Sequence, residues 1–275
     1  MPAPLPPWRR FVALGDSITE GLADFDADGH AIGWADRFAQ HLASLSGEPI
    51  EYANLAVRGR TVHAIVTQQV PVAQAMRPDL VSIWGGGNDM LRSISDPDHL
   101  AAGIEQAVAA FRSAGVEVLL GSGIDTRGTP VVGLDRGKVA LFTLLLADIA
   151  HRHGAHLIDV WNPHFLQDRR MWFDDRVHFS SEAHRRISEA ALCTLGLPPQ
   201  DPHWAQPLPP PAPERRSDMI RRDLEWARDH ALPWVGRRLR GTDTGTNRFC
   251  KQPQYRQVLP ATPAGHQTRP GIATN

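Results

Sequence analysis

Cysteine is nearly absent from this chain of 275 residues, which has only Cys193 and Cys250. Two thiols do not make a disulfide framework, so a packed core has to hold the fold. An excess of charge of one sign is missing too. There are 29 Lys and Arg against 30 Asp and Glu, a net charge of -1 that offers no global field to attract a polyanion. No window approaches an apolar run long enough to span a bilayer. The start, Met1-Pro2-Ala3-Pro4-Leu5-Pro6-Pro7-Trp8, has no basic segment followed by an apolar stretch of signal-peptide length. These absences predict no nucleic-acid partner, no stable membrane insertion and a cytoplasmic location. Nucleotide motifs are lacking as well. Gly85-Gly86-Gly87 is not followed by Gly-Lys-Ser/Thr, and no Gly-x-Gly-x-x-Gly opens a helix. His151, His153 and His156 lack an acidic or cysteine partner at ligand spacing, and imidazoles complementing a helix end account for them better than a metal does. No metal and no organic cofactor are expected.

What the chain does have is alternation. Short apolar runs at Arg10 to Leu14, Ile50 to Asn54, Asp79 to Trp84, Val116 to Gly121 and His156 to Val160 read as strands covered on both faces. Helical spacing separates them. Trp34, Phe38, Leu42 and Leu45 form one stripe, Leu100, Ile104, Ala107, Val108 and Phe111 a second, and Val139, Phe142, Leu145, Leu146 and Ile149 a third. Gly115 and Gly154 stand where helices end. A last helix, about Ser181 to Leu195, opens at a Ser180 or Ser181 cap and carries Cys193 as a small buried residue. Strand–helix alternation predicts an α/β fold with a parallel sheet between helical layers. Ligands of such sheets meet the carboxyl ends of the strands.

Composition breaks after Leu197. Residues 1–9 read as an N-terminal arm and 10–197 as the main domain. Eight prolines between Pro198 and Pro213 make a stiff linker or wrapping arm. From 214 to 240 runs an amphipathic helical arm whose stripe, Ile220, Leu224, Ala227 and Ala231, is expected to dock on the main domain. Its partner, if any, is unknown. Residues 241–275 are polar, rich in Thr, Pro and Gly, and expected to be disordered.

Three separated motifs offer chemistry. Gly15-Asp16-Ser17 follows the first strand and can place the Ser17 hydroxyl at a helix N-terminus, where free amides favour a developing oxyanion. Gly85-Gly86-Gly87-Asn88-Asp89 follows the third strand and offers the Asn88 amide. Asp175-Arg176-Val177-His178 offers an imidazole with a carboxylate three residues earlier. Asp174 is adjacent, but the three-residue offset favours Asp175. Gly59, after the second strand, lets a backbone N–H approach a ligand closely. Each motif alone also reads as a capping serine, a charged turn or a turn glycine. Together they supply a hydroxyl nucleophile, a supported general base and oxyanion donors.

On these residues the chain resembles the SGNH-hydrolase superfamily, the GDSL esterases and lipases. Gly15-Asp16-Ser17-Ile18-Thr19-Glu20-Gly21 matches its first block. Asn54-Leu55-Ala56-Val57-Arg58-Gly59 resembles the second, Gly86-Gly87-Asn88-Asp89 the third and Asp175-Arg176-Val177-His178 the fifth. The wording around them is similar to actinobacterial members of unassigned substrate. The resemblance spans about residues 10 to 196. It implies a three-layer α/β/α sandwich, flavodoxin-like, with a five-stranded parallel sheet. It also implies a serine hydrolase cleaving carboxylic esters without metal or cofactor. Ser17, His178 and Asp175 fall on the triad positions, and Ser17, Gly59 and Asn88 on the oxyanion hole. The substrate would be a small-molecule ester, a lipid or an acylated sugar. Acyl transfer, carbohydrate deacetylation and a non-catalytic binding module are the alternatives on this fold.

Overall fold

A computed structural model describes residues 5–91, 94–127, 132–231, 233 and 248–261. In chain order the elements are β1 (Arg10–Gly15), α1 (Ser17–Glu20), α2 (Gly33–Ser46), β2 (Ile50–Asn54), α3 (Val62–Ala64), a π-helical turn (Ile65–Gln69) and α4 (Val70–Met76). Then come β3 (Leu80–Trp84), α5 (Gly87–Met90), α6 (Pro97–Ser113), β4 (Glu117–Gly121), α7 (Arg136–His153), β5 (His156–Ile158), α8 (Ser181–Thr194), α9 (Arg216–Trp226) and β6 (Gln252–Val258).

Side chains alternate across the strands, and the two faces feed two cores. Phe11, Ala13, Tyr52 and Trp84 pack beneath α2 and α8, whose Trp34, Phe38, Leu42 and Ile187 are fully buried. Val12, Leu14, Val81 and Leu120 turn the other way, onto Ile104, Val108, Phe111 and Phe142 of α6 and α7. This is the expected three-layer sandwich. The spatial order is β5-β4-β3-β1-β2-β6. The first five strands run parallel. Connections change side next to β1, so the carboxyl ends of β1 and β3 flank a crevice.

The sheet has six strands rather than the five expected. β6 pairs antiparallel with β2, Ile50 opposite Val258 and Glu51 opposite Gln257. It therefore corrects the expectation of disorder over that part of 241–275, while 241–247 and 262–275 lie outside the described residues. Lys251 anchors it, its Nζ donating to Asp36 Oδ2 at 2.6 Å and to the Ala31 carbonyl at 2.8 Å. Burial pushes the Asp36 carboxyl up to about 6 despite that ammonium and the nearby Arg256. The proline-rich stretch wraps the domain: Trp204 and Leu208 pack against the core, and Arg170 donates to the Pro209 carbonyl at 2.7 Å.

Two further expectations fail for helical reasons. Cys193 is exposed. Six residues beyond Ile187, it has turned away from the buried stripe of α8. The apolar stripe of α9 does not dock on the domain either. Met219, Ile220 and Leu224 are exposed, and the helix instead turns Asp223 and Trp226 toward the domain. The basic cluster after Pro233 lies outside the described residues. No described helix is long and apolar enough to cross a membrane.

Candidate active site

β1 delivers Ser17 to the crevice. Asp16 caps the short helix α1, its Oδ1 accepting from the Ile18 N–H at 3.1 Å, and Ser17 is the first helical residue. Gly15 has φ of 155°, and a Cβ there would stand 2.3 Å from the Trp84 carbonyl oxygen. Only glycine lets β1 end this close to β3. Gln69, buried and supplied by the π-helical turn, grips the same residue from both sides. Its Oε1 accepts from the Gly15 N–H at 2.8 Å and its Nε2 donates to the Gly15 carbonyl at 2.9 Å. No sequence motif marked Gln69; its signal exists only in the turn's register.

The loop before α8 supplies the imidazole. His178 Nε2 lies 3.0 Å from Ser17 Oγ, and His178 Nδ1 lies 2.6 Å from Asp175 Oδ2. The other carboxylate oxygen, Oδ1, accepts from the backbone N–H groups of Val177 at 2.9 Å and His178 at 3.0 Å. Burial alone would raise the Asp175 carboxyl; the His178 ring and these two amides outweigh it and hold the group at about 2. The turn is tight, since the Phe173 N–H donates to the His178 carbonyl at 2.8 Å. Arg176 in its middle has φ of 60°, left-handed backbone that costs an L residue roughly 1–2 kcal/mol. The ring's carboxylate partner is Asp175, and Asp174 has no hydrogen bond to the ring.

Asn88, in α5, directs its Nδ2 to Asp16 Oδ2 and to the Arg60 carbonyl, both at 3.1 Å. Both amide hydrogens are thus engaged. Burial pushes the Asp16 carboxyl up to about 6, helped by the nearby Asp89 charge and opposed by the Ile18 N–H, His178 and Asn88. Gly59 has φ of 80° in the loop just before Arg60. Glu20 holds that loop by accepting from the Arg58 N–H at 2.6 Å and Nε at 2.9 Å. Ser17, Asn88 and His178 all line one pocket; Gly59 is not among its lining residues.

The pocket wall is largely apolar, with Trp84, Met90, Ile124, Val139, Phe142 and Trp172, and Arg176 also lines it. Residues 22–34 contribute nothing to the described lining. Gly21 and Gly33 meet so closely that a Cβ on Gly21 would lie 2.6 Å from the Gly33 nitrogen, which pinches that loop off as a closed excursion. On it Asp26, Asp28 and His30 bring possible metal-ligating atoms within 4.8 Å of one another, all exposed. His153 and His156 face carboxylates instead, Nε2 to Glu105 at 2.8 Å and to Glu117 at 3.2 Å.

With a hydroxyl, an imidazole and a carboxylate in line, the imidazole can take the hydroxyl proton while the carboxylate steadies the ring and stays ionised. Residues 13–186 match the sequence pattern of the GDSL-like Lipase/Acylhydrolase family. The chain belongs to this family. It is a hydrolase that acts on ester bonds. Solved structures agree on the fold. TesA is 25% identical with a TM-score of 0.55, the match covering 67% of this chain and 97% of that one. Axe2, an acetylxylan esterase from Geobacillus stearothermophilus, is 20% identical with a TM-score of 0.56, covering 69% and 94%. LAE5, an alpha/beta hydrolase from the metagenome of Lake Arreo in Spain, is 21% identical with a TM-score of 0.56, covering 68% and 94%. Comparison with curated proteins gave no match. The family match ends at 186, so the GDSL-like core stops within α8 and the segment carrying α9 and β6 lies beyond it.

Proposed function

We propose that this GDSL-like hydrolase cleaves carboxylic esters of small molecules through a covalent acyl-serine. The observation that carries the reading is the unbroken row from Ser17 Oγ through His178 to Asp175, at 3.0 and 2.6 Å. His178 Nε2 takes the Ser17 proton as Oγ attacks the ester carbonyl. Asp175 holds Nδ1–H and stabilises the imidazolium. The Ser17 N–H, the Gly59 N–H and the Asn88 amide receive the oxyanion. Collapse breaks the bond to the alcohol oxygen, which leaves with the proton from His178. Water then attacks the acyl-serine by the reverse sequence and a carboxylic acid departs. The apolar pocket wall favours an ester with apolar surface on its acyl or alkoxy side.

A fluorescent organophosphonate tests the nucleophile directly. The wild-type protein should be labelled on the peptide containing Ser17, and labelling elsewhere or nowhere sinks the reading. Adding an acceptor alcohol during turnover separates hydrolysis from acyl transfer by product analysis.

Asp16 holds one hydrogen of the Asn88 amide, so Asn88 can serve the oxyanion only by loosening its hold on Asp16 or on the Arg60 carbonyl. Asp16→Asn keeps the shape and turns one acceptor into a donor. With Oδ1 kept on the Ile18 N–H, the new amide opposes the Asn88 amide and drives it out of position. The expected loss in kcat is about a hundredfold, the cost of one misplaced oxyanion donor. Steady-state kinetics above pH 7 check it, where the wild-type carboxyl, pushed up to about 6, is ionised.

A further inference from the structure

The α9 arm lies outside the segment that matches the family, yet it grips the loop that carries Asp175 and His178. Trp226 Nε1 donates to the Asp175 carbonyl at 3.0 Å. The Arg176 guanidinium stacks 4.5 Å from the centre of the Trp226 ring and pairs with the Asp223 carboxylate. Arg176 is the residue with left-handed backbone at the centre of the turn, its side chain only 13% exposed. An arginine has no intrinsic preference for that conformation. Hydrogen bonds within the turn fix its backbone, and the contacts that hold the Arg176 side chain and the Asp175 carbonyl from outside come from α9.

Core burial does not explain why α9 is there. Its apolar residues Met219, Ile220 and Leu224 face solvent, while its single aromatic is turned to the Asp175–Arg176 peptide. We propose that Trp226 and Asp223 are positioning residues that clamp the Asp175–Arg176 turn, so that the carboxylate and imidazole stay aligned with Ser17. They touch neither the reacting atoms nor the imidazole and act through the turn alone. In this protein the machinery of ester cleavage therefore extends beyond the family's shared segment. The inference rests on the acyl-serine reading above and adds a part to it.

The test uses the full chain and a short p-nitrophenyl ester. W226A and D223A are each expected to lower kcat by about ten- to a hundredfold, as loosened reacting geometry does, with KM within about twofold. Trp226→Phe, which keeps a ring but loses the donor, should fall between W226A and wild type, and Asp223→Glu should restore most of the rate. The double variant should lose less than the product of the single losses, because both residues hold one turn. The hydrogen-bonded Nδ1 proton of His178 gives a second readout by NMR, and its resonance should broaden in W226A. Circular dichroism keeps the test interpretable by showing each variant folded. Folded W226A and D223A with wild-type kcat and an unchanged resonance overturn the clamp while leaving the acyl-serine reading intact. Wild-type turnover that survives Ser17→Ala overturns both.

Discussion

Ser17→Ala is expected to abolish measurable turnover of short p-nitrophenyl esters, a fall in kcat of about 10⁴-fold or more, with the fold unchanged. The size follows from the arrangement. On the acyl-serine reading the Ser17 oxygen is both the atom that attacks and the hydroxyl that donates to His178 Nε2. Without it the imidazole can activate only water, from a place built for a side chain. What survives is the modest catalysis of the oxyanion donors and of binding. Adding His178→Ala to Ser17→Ala should cost almost nothing more, because the two residues act as a unit. Two independent tenfold losses that multiply would mean that His178 is not the base. Stability should move by less than about 1 kcal/mol, the net worth of the single hydrogen bond removed. Thermal unfolding of wild type and variant at one pH checks this.

The part of the fold that sequence reading captured is the part made of buried strands. A parallel strand covered on both faces has to be a short, continuous apolar run, so β1 to β4 stand out near their true bounds. β6 could not be read this way. Gln252-Pro253-Gln254-Tyr255-Arg256-Gln257-Val258 is polar and carries a proline, which suits only an edge strand. It forms because β2 leaves an edge open and Lys251 reaches the buried Asp36, a tertiary event with no local pattern. The same limit applies at the site. Ser17, Asn88, Asp175 and His178 were legible as candidates because the proposed chemistry restricts residue type at each motif. Gln69 was not, because a glutamine that clasps a backbone looks like any glutamine until the chain is folded. Trp226 was not singled out either, because the stripe Ile220, Leu224, Ala227 and Ala231 passes it by and points the wrong way. The usual rule buries the apolar stripe, and here one aromatic and one ion pair decide which side of α9 faces the domain.

Asp175→Asn carries the second large effect, about 10⁴-fold in kcat near neutral pH, and its origin is the tautomer of His178. In the wild type Oδ1 is committed to two backbone N–H groups, from Val177 and His178, and Oδ2 accepts from Nδ1. An asparagine in this place has one oxygen, and the two amides claim it. Its NH2 group is then left facing Nδ1, which must accept rather than donate. The ring proton moves to Nε2, where it points at Ser17 Oγ and cannot receive the serine proton. Geometry would be preserved and basicity lost, so KM should hold while kcat collapses. The NMR signal of the ring proton should pass from Nδ1 to Nε2. Acid behaviour gives an independent check of the wild type. With its carboxyl held at about 2, below the ordinary value of 3.8, Asp175 stabilises the folded state fully above the unfolded value. That contribution is lost only as pH falls from about 4 through 2. Activity lost between pH 7 and 5 therefore belongs to a group other than Asp175. A carbon-13 titration of the Asp175 carboxyl that found a midpoint above 4 would break this account of the site.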